Sequence, residues 1–138
     1  MQSLDAKQQA AATVAMEFHG AFVGAFRDNF EALGGTITGI EQVSSSDTDR
    51  GPVFTNIASG DPGVVYGPNF NPVCALSYTQ GADILAKGTV QIGSDGCLES
   101  SFIETVGAPI AGADYFASSP DVSAYQSGAF YKDEYLPA

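Results

Sequence analysis

Thr89-Val90-Gln91-Ile92-Gly93-Ser94-Asp95-Gly96-Cys97 is the stretch from which the rest of the chain can be read. The β-branched Thr89, Val90 and Ile92 make residues 89–93 a strand. Ser94-Asp95-Gly96 is a tight loop, and residues 97–106 form a helix with Phe102, Ile103 and Val106 apolar. The same order continues downstream: Ala113-Asp114-Tyr115-Phe116-Ala117 is a strand, Ser118-Ser119-Pro120-Asp121 a loop, and residues 122–136 a helix. Upstream, Gly63-Val64-Val65-Tyr66-Gly67 is a short apolar strand of the kind buried on both faces. Asn71-Pro72 supplies an N-cap and a first-turn proline for a helix running to about residue 86.

Thr36-Ile37-Thr38-Gly39-Ile40-Glu41-Gln42-Val43 alternates polar and apolar at period two and is another strand. Ser44-Ser45-Ser46-Asp47-Thr48-Asp49 is a polar loop, Gly51-Pro52 opens a short helix over Val53, Phe54 and Ile57, and residues 59–63 are turn chemistry. Residues 10–33 read as one Ala-rich helix. Phe18, Phe22, Phe26 and Phe30 recur every fourth residue along a face expected to meet the core, and Gly34-Gly35 stops the helix. The resulting order, αβαβαβαβα, predicts the α/β class: an open, mainly parallel four-stranded sheet with helices on both faces, joined by right-handed crossovers, as one domain over residues 1–138.

Composition excludes several functions. The chain carries 16 acidic and 5 basic side chains, a formal net charge of -11. Charged residues are only 15% of it, against roughly a quarter in ordinary domains, so it is acidic because Lys and Arg are scarce. Nine Phe and six Tyr argue against a disordered acidic tail. Five scattered cations cannot neutralise a run of phosphates, so no nucleic acid is expected as a partner, and an anionic membrane surface would repel the chain. No apolar run approaches the ~20 residues that span a bilayer, so no membrane insertion is expected. Met1-Gln2-Ser3-Leu4-Asp5-Ala6-Lys7 does not read as a signal peptide, and Tyr135-Leu136-Pro137-Ala138 follows a helix without a capping signal, which reads as truncation.

In an open parallel sheet, ligands bind outside the carboxyl ends of the strands. Here those ends are residues 44–49, 67–71, 94–97 and 118–121. They offer hydroxyls, amides, Phe70 and several carboxylates, but no Lys, Arg or His before Arg50, so an ammonium-bearing ligand suits the rim better than an anion. There is no GxGxxG, P-loop, GxSxG or HExxH, and no cofactor is expected. His19 lies within the long first helix, away from any strand end, which argues against a catalytic triad. Asp47 and Asp49 read as a loop that caps the next helix. Asp95 has two readings: a turn-forming, helix-capping carboxylate, or an anchor for a cationic ligand group. Cys74 and Cys97 are either two buried free thiols or a disulfide, and with no CxxC and a single His no metal site is expected.

The run Phe26-Arg27-Asp28-Asn29-Phe30-Glu31-Ala32-Leu33-Gly34-Gly35 resembles the helix-to-glycine segment of substrate-binding proteins of branched-chain amino acid ABC transporters. Asp47-Thr48-Asp49, Ile92-Gly93-Ser94-Asp95-Gly96, Phe102-Ile103-Glu104-Thr105-Val106-Gly107 and Ala111-Gly112-Ala113-Asp114-Tyr115-Phe116 resemble that family too, in unbroken order. The resemblance implies a periplasmic-binding-protein lobe of type I, with flavodoxin-like layering, from a two-lobed receptor that holds its amino acid in the cleft. Only the second lobe is represented, with one strand and a Tyr-bearing loop apparently deleted between two helices that here run together.

By position, Asp95 matches the acid that receives the ligand ammonium, and Phe70, just before Asn71, matches an aromatic that packs on the ligand; Gly96 belongs to the same loop. The resemblance further implies a small-molecule ligand, an amino acid (of the branched-chain class) or an amide, bound non-covalently at the strand ends, and an ABC permease as partner of the full-length parent. It implies a periplasmic or extracellular location for that parent, no catalysis, and, through export, a Cys74–Cys97 disulfide. The alternative is a non-binding fragment that self-associates as a homodimer.

Overall fold

The computed structural model describes residues 9–97, 99–107 and 115–117. The elements are β1 (Ala10–Met16), a 3-10 turn (Glu17–His19), α1 (Gly20–Ala32), β2 (Thr36–Val43), α2 (Gly51–Ser59), β3 (Val64–Gly67), α3 (Val73–Ile84), β4 (Val90–Gly93), a second 3-10 turn (Asp95–Cys97), α4 (Ser100–Val106) and β5 (Tyr115–Ala117). The strands form one sheet in the order β2-β1-β3-β4-β5, and every pairing is parallel. The α/β class and the open parallel sheet follow the alternation in the sequence. The expected loop 118–121 and helix 122–136 lie outside the described residues.

One expectation is overturned. Residues 10–33 are not a single helix: Ala10–Met16 is a strand, and the helix begins at Gly20. Among the described residues the sheet therefore has five strands, not four, and the two fused helices between which a strand looked deleted are not there. Alanine has the highest helix propensity, but tertiary position overrides it here. β1 is the middle strand of the β2-β1-β3 group, and Ala11 through Met16 are all buried, Ala11, Ala12 and Thr13 completely. A parallel strand covered on both faces needs no polar alternation, so it carries no period-two signal.

Two layers flank the sheet. On one side Ala12, Val14 and Met16 of β1, Val43 of β2 and Val65 of β3 pack with Phe54 and Ile57 of α2 and Val73 of α3. Beyond them Cys74, Ala75 and Tyr78 of α3 close on Cys97 and on Phe102 and Val106 of α4. Side chains alternate across a strand, so Tyr66 faces the other side, where its ring stacks on Phe26 of α1 at 4.6 Å. Phe22, Phe26 and Phe30, expected to face the core, instead form the lip of a groove. Phe22 is 59% exposed, and Val23 is the buried residue of α1. The reason is architectural: α2, α3 and α4 share one face of the sheet, and among the described helices only α1 lies on the other.

The start of α3 also differs. Its N-cap is Pro72 rather than Asn71, and the Asn71 amide instead donates to Ser101 Oγ at 2.6 Å, tying the loop to α4.

Candidate functional site

The neighbours β1, β3 and β4 end side by side, which brings three connections together: Glu17–His19, residues 68–71, and Asp95–Cys97 with Ser94. Asn69 is the joint. It is 1% exposed; its side-chain oxygen accepts the Met16 N–H at 2.9 Å and its amide donates to the Val14 carbonyl at 2.9 Å. These bonds continue the ladder where β3 has stopped and lock the β3 loop onto the end of β1. The Asn69 carbonyl in turn accepts the Ser94 hydroxyl at 2.8 Å. The Asn71 N–H donates to the Gly96 carbonyl at 3.2 Å, so the β3 and β4 loops are bonded to each other as well.

Upon this base sit two aromatic rings and a carboxylate. Phe70 is 53% exposed and lies over Gly96, where a Cβ would collide with its ring. His19, 5% exposed, meets the Phe70 ring edge-on at 5.1 Å and the Phe22 ring at 6.0 Å. Asp95 is exposed at the first position of its 3-10 turn. Burial pushes the Tyr66 phenol above its usual range, and the charge of Asp95 pushes it the same way.

Cys97, two residues beyond Asp95, is bonded to Cys74 of α3, with Cα atoms 5.7 Å apart. Chemically this rim offers two solvated carboxylates, Glu17 and Asp95, beside the aromatic rings of Phe70 and His19. Residues 17–19, 68–71 and 94–97 contain no Lys or Arg. No group of His, Cys, Asp and Glu suited to a metal ion occurs among the described residues.

Asp95, Phe70, Asn71 and Gly96 thus come together, although Asn71 contributes its backbone and a tether to α4 rather than a cap. His19 is placed differently from the sequence expectation: it stands at the carboxyl end of β1, beside Phe70. Asn69 and Tyr66 carry no motif that would single them out. The β2 loop does structural work. Asp47 accepts the Ser44 N–H at 2.8 Å and pairs with the Arg50 guanidinium at 3.2 Å, and Asp49 accepts the Gly51 N–H at 2.8 Å. A polar cleft of about 310 Å³ separates that loop from Glu17.

An open parallel sheet whose loops adjoin at the carboxyl ends of its strands defines the fold class, an α/β layer, and residues 17–19, 68–71 and 94–97 carry no phosphate-cradling motif. Solved structures place it further. The leucine-binding protein LivK of Thermotoga maritima superposes with a TM-score of 0.66 at 20% identity, over 93% of this chain and 38% of that one. The branched-chain amino acid transporter substrate-binding protein LivJ of Streptococcus pneumoniae, solved in complex with isoleucine, gives 0.69 at 16% identity, over 93% and 38%. The chain therefore has the fold of one part of branched-chain amino acid substrate-binding proteins, and it spans less than two-fifths of their length. No protein-family model matches the sequence, and no curated protein matches it. No helix among the described residues is long and apolar enough to cross a membrane.

Proposed function

We propose that this chain is a single α/β lobe, residues 1–138, of a non-enzymatic amino acid receptor, and that it binds the ligand ammonium group at Asp95 against the ring of Phe70. The observation that carries the reading is the convergence of Asp95, Phe70 and His19 on adjoining strand ends in a fold whose solved counterparts include an isoleucine complex. A carboxylate on a rim without Lys or Arg selects a cation, and aromatic faces beside it select an apolar side chain. Residues 17–19, 68–71 and 94–97 offer the ligand carboxylate no Lys or Arg, and it would be gripped by the other lobe of a full-length receptor. That parent would be exported to the periplasm or cell surface and deliver its amino acid to an ABC permease.

A half-made cleft must still offset association entropy. Titration of the chain with leucine or isoleucine, read by amide and aromatic NMR shifts, should therefore give a Kd no tighter than about 1 mM, roughly -4 kcal/mol. Shifts should centre on Asp95, Gly96 and Phe70 and vanish in Asp95→Asn. Shifts centred elsewhere, or micromolar binding, would overturn the half-site reading.

The second reading, a non-binding fragment that forms a homodimer, is favoured by one observation. An apolar groove of about 450 Å³ runs between Phe22, Phe26 and Phe30 of α1, with Leu33 just beyond its end, and Tyr66 and Ile92 of the sheet. Sedimentation at low concentration separates the two: a clean monomer rejects the dimer.

A further inference from the structure

The turn that carries Asp95 is short and exposed, yet both its ends are anchored. At one end the Ser94 hydroxyl holds the Asn69 carbonyl at 2.8 Å. At the other, Cys97 is 2% exposed, its N–H closes the turn onto the Ser94 carbonyl at 3.0 Å, and its sulfur is bonded to Cys74. Cys74 is the second residue of α3 and is itself buried. Beyond the turn, the Asn71 amide on Ser101 Oγ at 2.6 Å and the packing of Phe102 and Val106 against α3 hold α4, not the turn itself, and α4 begins at Ser100 with no side-chain cap. Hydrogen bonds to loop carbonyls exchange with water readily, whereas a covalent tie to a packed helix does not.

We propose that the Cys74–Cys97 disulfide is the positioning device of the ligand site: by fixing the Asp95–Cys97 turn to the first turn of α3, it holds the Asp95 carboxylate beside Phe70, where an ammonium group meets it. Its bearing on ligand binding rests on the reading of Asp95 given above, but the positioning itself is measurable without any ligand. The disulfide lies within the smaller cluster that joins α3 to α4, whereas the cluster around β1, α2 and the start of α3 is assembled from other side chains.

The test uses the electrostatic link between Asp95 and Tyr66. Tyrosine-labelled protein is titrated by NMR, with Tyr66→Phe identifying the signal, in four forms: the oxidised chain, the chain reduced by a phosphine (two electrons and two protons convert the disulfide to two thiols), and each of these carrying Asp95→Asn. In the oxidised chain Asp95→Asn should shift the Tyr66 titration toward that of an ordinary phenol. After reduction the same substitution should leave it unmoved, while the amide signals of β1, β3 and β4 stay in place.

Cys74→Ala/Cys97→Ala repeats the measurement without reductant, since both sulfurs are buried. An Asp95 effect of equal size in the oxidised and opened forms would overturn the proposal, and so would global unfolding on reduction. Leucine titration of the same four samples then reads the consequence. A reduced chain that loses Asp95-dependent shifts supports it. Absence of leucine binding in every sample would reject the receptor reading while leaving the Tyr66 result to decide the positioning.

Discussion

The side-chain oxygen of Asn69 accepts the backbone N–H of Met16 at 2.9 Å, across 53 residues of sequence, and both residues are buried. With the reciprocal bond to Val14 it turns a loop residue into a rung of the sheet, and it makes the end of β1 and the loop bearing Phe70 one rigid surface. Replacing it leaves a buried donor and a buried acceptor unpaired, each costing about 1–3 kcal/mol. Asn69→Leu should therefore destabilise the chain by about 2–5 kcal/mol in urea denaturation. Asn69→Asp should fare no better, because a carboxylate has no donor for the Val14 carbonyl. A loss below about 1 kcal/mol for both variants would show that the two bonds are not made.

Gly96 is required for space. A Cβ there would lie 2.9 Å from the Asn69 carbonyl oxygen, which is backbone and held by Ser94, and would strike the Phe70 ring. The ring is half in solvent and can yield; the carbonyl cannot. Gly96→Ala should cost about 1–3 kcal/mol and swing Phe70 away from His19. Nuclear Overhauser contacts between the Phe70 and His19 rings check this, and their persistence at full strength would contradict it.

Arg50 is 1% exposed, with its guanidinium on Asp47 and on the Ser44 carbonyl at 2.8 Å, its N–H on Gln80 at 2.5 Å, and its Nε unpartnered. Burial pulls its pKa below the usual value, with Asp47 opposing. Burying an imperfectly paired charge gains little, whereas the volume it fills matters. Arg50→Ala should thus cost about 2–4 kcal/mol, while Arg50→Met should stay within about 1 kcal/mol of the parent, since Asp47 keeps half its surface in water. Equal losses in the two variants would show that the ion pair, not the packing, supports the loop.

How much of this was legible follows from how each segment is buried. β2 has one face partly open and alternates visibly, and β3 and β4 are short β-branched runs between glycines; all three could be read directly. β1 could not. Ala10-Ala11-Ala12-Thr13-Val14-Ala15-Met16 is Ala-rich and covered on both sides, and the Phe repeat already begins at Phe18, ahead of the helix, which masked the boundary near Gly20. That single misreading carried His19 away from the site and made one strand look deleted. Asp95 and Phe70 were found because the strand-end rule depends only on β3 and β4. Asn69 escaped because its role is a pairing with β1, invisible while β1 was read as helix.

Tyr66 gives the pH dependence. Its phenol is raised above 10.0, first by burial and then by the charge of Asp95, so the folded chain holds the proton more tightly than the unfolded one. The native state then binds more protons through that window, and stability must fall as pH rises past the unfolded value and toward the folded one. The contribution is fully present below pH ~10 and lost above the folded pKa. Urea midpoints measured between about pH 9 and 11 should decline more steeply for the parent than for Tyr66→Phe, with the other tyrosines common to both. Asp95→Asn should lie between them, because it removes the charge and leaves the burial. Parallel slopes for the parent and Tyr66→Phe would mean that the phenol is solvated, and that neither Phe26 nor Asp95 acts on it.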